Sequence, residues 1–536
     1  MKIFFGTILI LISNFVFAQN SSFTIALEPV NIAALDGIQS YAYGQAAGKW
    51  LIIGGRKDGL HQRQPFAAFD ASGLNTDLTV VDPVTMQKWT APLSSLSVDL
   101  QEQLSSTNME FHQDGNYLYL IGGYGYSATM NDHITYSKLC AVDVPNVINA
   151  ITNNQSFTSY FRQYADTNFA VTGGHLNKIN DTYYLVGGQN FIGRYNPMGP
   201  NHGPGFFQQY TNQIRKFTLI DNGVSLTISN YQTITDSLAF HRRDYNVVEQ
   251  ILQNGNEGLT VFSGVFQTAA DIPYLNAVNI DSNSYSINNS FAQYYNHYHC
   301  AVLPLYSQSA NEMNNVFFGG IAQYYDSAGV LVQDNNVPFV KTIANVKRDN
   351  SGNMTEYKLN VEMPALLGSG SEFIANENIA TFKNGVIKYD SLIADTTHVG
   401  YIFGGINSTA ANIFWINTGI ESSASNQLFK VLVIKNNSAG ISQLNHQSNN
   451  GLQLQVYPNP NDGYFFIKFS LKKAKPVHLL ITDANGKEVV NENLLQTTKG
   501  ENIIEYKIKD LTIGGVYWVA LTDGDLSSAQ QIIVAE

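Results

Sequence analysis

The chain has 536 residues and a formal net charge of −12, with 13% charged and 12% aromatic residues. That sign argues against nucleic acid as a partner, and the weight of rings over charges suits many short half-buried strands better than a solvated helical bundle. Two cysteines, Cys140 and Cys300, lie far apart in separate apolar runs and read as isolated buried thiols; export allows a disulfide that spacing cannot show, and nothing resembles a disulfide-dependent scaffold.

Residues 1–18 carry Lys2, an apolar run from Ile3 to Phe17 and a small residue, Ala18, before Gln19. This is the pattern of a cleaved secretory signal, the run being short for a spanning helix. No later run is long and apolar enough to span a bilayer, so no transmembrane segment is expected after signal removal.

A short pattern then recurs, strand-like apolar residues running into a glycine pair. Its copies end at Gly54-Gly55, Gly122-Gly123, Gly187-Gly188, Ser263-Gly264, Gly319-Gly320 and Gly404-Gly405. Each is preceded by a first strand, expected over 41–47, 107–113, 168–175, 243–249, 299–305 and roughly 371–379. After a polar loop comes a further apolar run, which closes on Asp82, Asp143, Asp221, Asp281 and Asp349 in the first five copies and lacks the aspartate in the sixth, at Val431 to Lys435. Short helices are expected at Ser97 to Leu104 and Asn146 to Ile151. An extra strand over Phe23 to Leu27 precedes the first copy and is expected to join the last, since a circle of sheets without such an exchange leaves one sheet partly unpaired.

In the first copy Trp89 follows Asp82, and the order glycine pair, Asp, Trp resembles the kelch repeat. The second glycines stand 56 to 85 residues apart, longer than the kelch period of about 50 residues, so the loops are enlarged. The resemblance implies an all-β chain with a six-bladed kelch-like β-propeller over 19–436. Its family, the galactose-oxidase-like kelch superfamily, includes enzymes, sugar epimerases and mutarotases, and binding modules, so several chemistries stay open.

Strands alternate direction within a blade, so the loops after the glycine pairs gather with the starts of the first strands on one face. That face should carry Arg56, His61, Arg63, Tyr124, Tyr126, Arg194, Tyr195 and Tyr324, joined by Asn108, Glu110, Arg242, Arg243, His297, His299 and Glu372. Rings that stack on sugar faces, beside directional polar groups, suit a glycan or a polar peptide. Arg242 or Arg243 with Glu110 or Glu372 are the candidate catalytic groups of an epimerase-like or mutarotase-like alternative. His297 and His299 share one strand face but lack a third ligand identifiable from sequence, so no metal is expected, and no nucleotide, hydrolase or zinc-protease signature points to a cofactor.

Residues 437–451 are rich in Asn, Ser, Gln and Gly and read as a linker. Alternation resumes over 452–536, with Asn485-Gly486 as a hairpin turn, and argues a small antiparallel β-sandwich. Tyr457-Pro458-Asn459-Pro460 with Gly463, the run from Leu480 to Lys487, and Gly514-Gly515-Val516-Tyr517 resemble the type A C-terminal sorting domain of the type IX secretion system. That resemblance implies recognition of 452–536 by the secretion machinery and release to the medium or the outer-membrane surface via the periplasm.

Overall fold

The computed structural model describes residues 22–199, 201–327, 329–436, 452, 454–483, 488–494, 497–508, 515–523 and 527–534. The signal expected at 1–18, the linker at 437–451, and the Asn485-Gly486 turn lie outside them. The chain is all-β and divides into two compact units, Met1–Asn436 and Asn437–Glu536.

In the first unit each of the first four sequence copies builds one antiparallel sheet of four strands in chain order. The first sheet runs Ala42–Ala46, Lys49–Ile53, Asp77–Asp82, Gln87–Pro92. The second runs Glu110–Asp114, Tyr117–Ile121, Ser137–Asp143, Phe161–Ala170. The third and fourth begin at His175–Ile179 and Asn246–Ile251. The fifth begins at Val302–Ser307 and gains the short parallel strand Ile387–Lys388. The sixth takes Ser371–Ala375, Thr396–Gly404 and Leu428–Lys435 from the end of the unit and its fourth strand, Phe23–Val30, from the beginning, in register from Phe23↔Lys435 to Val30↔Leu428. The expected exchange of the amino-terminal strand is therefore present.

Both residues of every glycine pair have φ between +53° and +106°, Ser263 included. Two consecutive left-handed residues turn the chain out of its sheet at a place where a side chain would collide; a Cβ on Gly122 would sit 1.9 Å from the Val171 carbonyl oxygen. In five copies the second glycine's N–H then donates to the segment entering the next sheet: Gly55 to Ser106, Gly123 to Val171, Gly188 to Arg242, Gly320 to Leu367, and Gly405 back to Ile38, all at 2.8–2.9 Å. The aspartates have a separate use. Asp82, Asp143, Asp221, Asp281 and Asp349 each accept backbone N–H groups of the turn or helix that follows. The sixth copy lacks one because its third strand is followed by no hairpin; its neighbour comes from the other end of the unit.

A belt of backbone hydrogen bonds joins the sheets where their first strands begin. Ser40 accepts from Asn108 N–H, Asn108 from Gly173, Gly173 from Asp244, Asp244 from His299, His299 from Gly370, and Gly370 from Ser40, at 2.8–3.3 Å. The circuit closes on itself. Consistent with it, six apolar cores each fill one gap between successive sheets, the last lying between sheet six (Ile374, Tyr401, Phe403) and sheet one (Trp50, Ile52).

Helices occupy Val98–Leu104 and Val144–Thr152, close to expectation. One strand is corrected: the third sheet begins at His175, not Asn168, because the fourth strand of the second sheet is ten residues long and absorbs Asn168 and Phe169. Cys140 and Cys300 are buried and free.

The second unit packs the sheet Gln455–Tyr457, Tyr464–Leu471, Gly500–Lys507 against the sheet Glu488–Leu494, Val477–Asp483, Gly515–Thr522, Ser527–Val534. Strict alternation along Tyr464–Leu471 buries Phe465, Ile467, Phe469 and Leu471 in a core shared with Leu479, Ile481 and Val519.

Phe23 and Ile25 are 1% and 2% exposed and fill the core between sheets five and six. Deletion of residues 19–30 removes about 3–6 kcal/mol of side-chain burial and bares the edge of the last sheet. A fall in Tm of several degrees, followed by circular dichroism, is expected; an unchanged melting curve contradicts the exchange.

Candidate functional site

Two openings meet at the belt, with Ser40, Asn108, Asp244 and His299 lining both. On the loop side a cleft of about 700 Å³ is lined from all six sheets. On the other side an opening of about 750 Å³ is lined by the first strands themselves. Position relative to the belt decides which opening a residue meets. One residue before it, Gln39, Thr107, Thr172, Arg243 and Tyr298 line the cleft; two residues after it, Glu110, His175, Asn246 and Glu372 line the far opening. Asn108, Asp244 and His299 are belt residues and border both.

The cleft is built on rings. His61 packs edge-on to Tyr195 at 4.8 Å and stacks on Phe69 at 5.6 Å; Phe206 stacks on Phe191 at 4.8 Å, and Tyr210 on His241 at 3.8 Å between centroids. Tyr124 donates to the Gly193 carbonyl at 2.8 Å and accepts from Tyr195 N–H at 3.0 Å, tying Gly193 and Tyr195 to the cleft wall. Arg56 is locked by both oxygens of Asp58 and lies over Phe69. Arg243 donates to Tyr210 Oη at 3.0 Å and pairs with Asp244; Tyr210 and then Asp244 hold its guanidinium above the usual range despite burial. Arg63 donates to the Pro197 carbonyl at 2.6 Å and lies 4.4 Å from the Trp415 ring, which is 66% exposed. Burial, only partly offset by a hydrogen bond to the Gln62 backbone and aided by Arg243, Arg56 and Arg63, lowers His61 to about 4, so its ring is neutral.

Of the sequence-predicted residues, Arg56, His61, Arg63, Asn108, Tyr124, Tyr195, Arg243 and His299 meet at this cleft. The rest are placed elsewhere. Arg194 is tied beside the cleft to Asp70 and the Phe66 carbonyl. Tyr126 bonds Asn131 Oδ1, and Tyr324 packs on Tyr294. His297 is fully buried, bonding the Gln293 carbonyl through Nε2 and accepting Gln323 N–H at Nδ1, so neither nitrogen is free for a ligand. Arg242 is also fully buried, spending its guanidinium on Ala239, Ser263 and Asn276. Both leave the expected face because their side chains stitch walls together.

Glu110 and Glu372 are corrected in position, since they lie beyond the belt from Arg243. Glu110 is 1% exposed and accepts Gly174 N–H at 2.8 Å; burial raises it to about 8. Glu372 Oε1 lies 3.1 Å from His299 Nε2. Burial alone would lower His299, but the Glu372 and Asp244 charges hold it above its usual value. The cleft residues absent from the sequence reading, chiefly Phe69, Tyr210, Phe266 and Trp415, come from the same post-glycine loops; extending that rule to the fourth and sixth copies finds Phe266 and Trp415. Among the described residues no group of three His, Cys, Asp or Glu is arranged to hold a metal ion.

In the second unit the Tyr-Pro-Asn-Pro turn ties the start of the sandwich to its last strand. Asn459 Oδ1 accepts Ile533 N–H at 2.7 Å, Asn461 N–H donates to the Ile533 carbonyl, and Asn461 Oδ1 accepts Gly463 N–H. The model of the secretion system C-terminal sorting domain matches residues 455–535. Residues 455–535 are a C-terminal sorting domain. The sorting domain marks a type IX secreted protein, cell-surface or extracellular, and implies interaction with that secretion machinery. No helix among the described residues is long and apolar enough to cross a membrane.

No curated protein matches the chain. Among solved structures, that of YjhT aligns at 9% identity over 76% of this chain and 99% of its own, with a TM-score of 0.39. A truncated trimeric ectodomain of the C. elegans fusion protein EFF-1 aligns at 8% identity over 96% and 95%, with a TM-score of 0.12. Neither likeness defines the fold of this chain.

Titration follows from the buried groups. His61, His112 and His297 are lowered by burial to about 4 and His175 to about 3, from 6.5, so acid below pH 6.5 favours the unfolded chain, which binds those protons first. Glu110 and Glu356 are raised to about 8 from 4.5, so their contribution is lost as pH rises through that window. Tm should fall from pH 6.5 to 4.5, where four histidines outweigh two carboxyls, and Glu110→Gln should lessen the decline between pH 6.5 and 8. A Tm that is flat across pH 4.5–6.5 contradicts these burial states.

Proposed function

We propose that residues 19–436 form a six-bladed kelch-like β-propeller that binds a glycan through its loop-side cleft. The propeller reading is supported by six sheets built in sequence, six inter-sheet cores, the closed belt and the strand exchange. The binding reading rests on one observation: rings from several sheets line a cleft of about 700 Å³, with Arg63 and Trp415 at one wall. Exposed ring faces stack on the apolar faces of sugars, while fixed guanidinium and amide groups bond hydroxyls with directional preference.

The alternative of a carbohydrate-active enzyme needs arginine and carboxylate around one substrate. Arg243 faces the cleft, Glu110 and Glu372 line the other opening, and Arg242 is consumed in the wall. Binding without turnover is therefore the preferred reading, and the sorting domain delivers the binder to the cell exterior.

A glycan array on the secreted protein, with bound glycans re-examined by NMR, tests this. A bound glycan that is recovered unchanged is expected, with affinity falling about tenfold or more for Trp415→Ala or Tyr195→Ala, as loss of one stacking contact at a hot spot implies. Conversion of the glycan would favour the enzyme, and an array without binding would leave a protein ligand for the same face.

A further inference from the structure

We propose that the glycan taken by the loop-side cleft is acidic, with a carboxylate or sulfate-ester group received by Arg63. The inference rests on the glycan-binding reading of the cleft and adds the class of sugar.

The arginines of the loop side are not equivalent. Arg56 gives Nε and Nη2 to the two oxygens of Asp58. Arg243 gives Nε to Tyr210 Oη and pairs through Nη1 with Asp244. Arg194 lies 3.5 Å from Asp70. Arg63, by contrast, makes no ion pair among the described residues, and its side chain donates there only from Nη1, to the Pro197 carbonyl at 2.6 Å. The Nε–Nη2 edge of its guanidinium is left without an acceptor, and neither nitrogen is sealed from solvent. That edge is nonetheless held in place. The guanidinium lies 4.4 Å from the ring of Trp415, which is 66% exposed, and the Arg63 backbone N–H donates to the Asn417 carbonyl at 2.8 Å.

The charge balance of the cleft points the same way. Arg56, Arg63 and Arg243 line it against two carboxylates, Asp244 and Asp271. Asp244 is taken by Arg243, Arg56 is offset by Asp58, and Asp271 is exposed and does not pair with Arg63. All three guanidiniums act against a positive charge on His61, which packs on the cleft ring Tyr195. The whole chain carries −12, so this excess of positive charge is local to the cleft and not part of a basic surface. A neutral sugar offers the open edge only hydroxyls, each matching one N–H at a time. A carboxylate or sulfate offers two oxygens at the spacing of two parallel N–H groups, together with the opposite charge. Trp415, fixed beside the guanidinium, can take the apolar face of the same sugar ring.

The test is an array of glucuronate and galacturonate oligosaccharides printed beside their methyl esters, which keep the rings and remove the charge. Sulfated galactose oligosaccharides form a second anionic set, and neutral glucose and galactose oligosaccharides complete it; the full chain is applied at fixed ionic strength. Acidic sugars are expected to bind about tenfold or more tighter than their neutral counterparts, as a charge-assisted bidentate contact implies. Arg63→Gln should remove that preference without weakening the neutral forms, Arg63→Lys should restore part of it, and Trp415→Ala should weaken acidic and neutral forms together. Binding confined to the uronates identifies the group as carboxylate and binding confined to the sulfated set as sulfate, and either supports the proposal. Circular dichroism checks each variant; if Arg63→Gln does not fold, the wild-type preference and Arg63→Lys decide. Neutral sugars bound as tightly as acidic ones, or an acid preference that survives in folded Arg63→Gln, overturns the proposal and leaves the glycan reading standing, whereas an array without any binding overturns both.

Discussion

Everything that positions the openings depends on a backbone constraint, the closed circuit through Ser40, Asn108, Gly173, Asp244, His299 and Gly370. A four-stranded sheet alone leaves both faces and both edges uncovered, and here each face meets a neighbour. The circuit fixes the rotation of each first strand about the common space, and the glycine-pair bonds fix the second strand against the next sheet. A circle must also absorb its own ends. Phe23–Val30 does so by pairing with Leu428–Lys435, so the last sheet is assembled only when both termini of the unit are present.

The belt also gives the interior two chemistries. Loop residues and the positions just before the belt supply rings and guanidinium groups, most of them held by carboxylates or carbonyls of the walls. Positions just beyond it supply carboxylates, amides and neutral histidines. At the belt Arg243 pairs with Asp244 beside it, while Glu372 stands next to His299. The proposed glycan site inherits this division, whereas Arg243 and Glu110, which a catalytic reading would join, line different openings.

Much of the architecture was legible because it is written in residues with narrow backbone or capping roles. Glycine pairs mark consecutive left-handed positions, and Asp82 or Asp281 marks a hairpin that needs an acceptor for its free N–H groups. Even the missing aspartate of the sixth copy carried meaning. The side of the belt was not legible, because the belt is made of main-chain bonds between residues as different as Ser40, His299 and Gly370. A shift of two or three residues along one strand therefore moved Glu110 and Glu372 from the expected face to the opposite opening. Arg242 and His297 misled for another reason: polar side chains that stitch loops together read in sequence like polar side chains that await a ligand. The carboxy-terminal unit was the easier case, since alternation defines its core and the Tyr-Pro-Asn-Pro turn has a specific partner in the last strand.

Native-state hydrogen exchange at the six belt amides tests the closed circle most directly. If the circuit holds the first unit together, the amides of Ser40, Asn108, Gly173, Asp244, His299 and Gly370 exchange with one common free energy, that of global unfolding. Fast exchange at Ser40 and Gly370, with the other four protected, would mean an open array whose first and last sheets do not join.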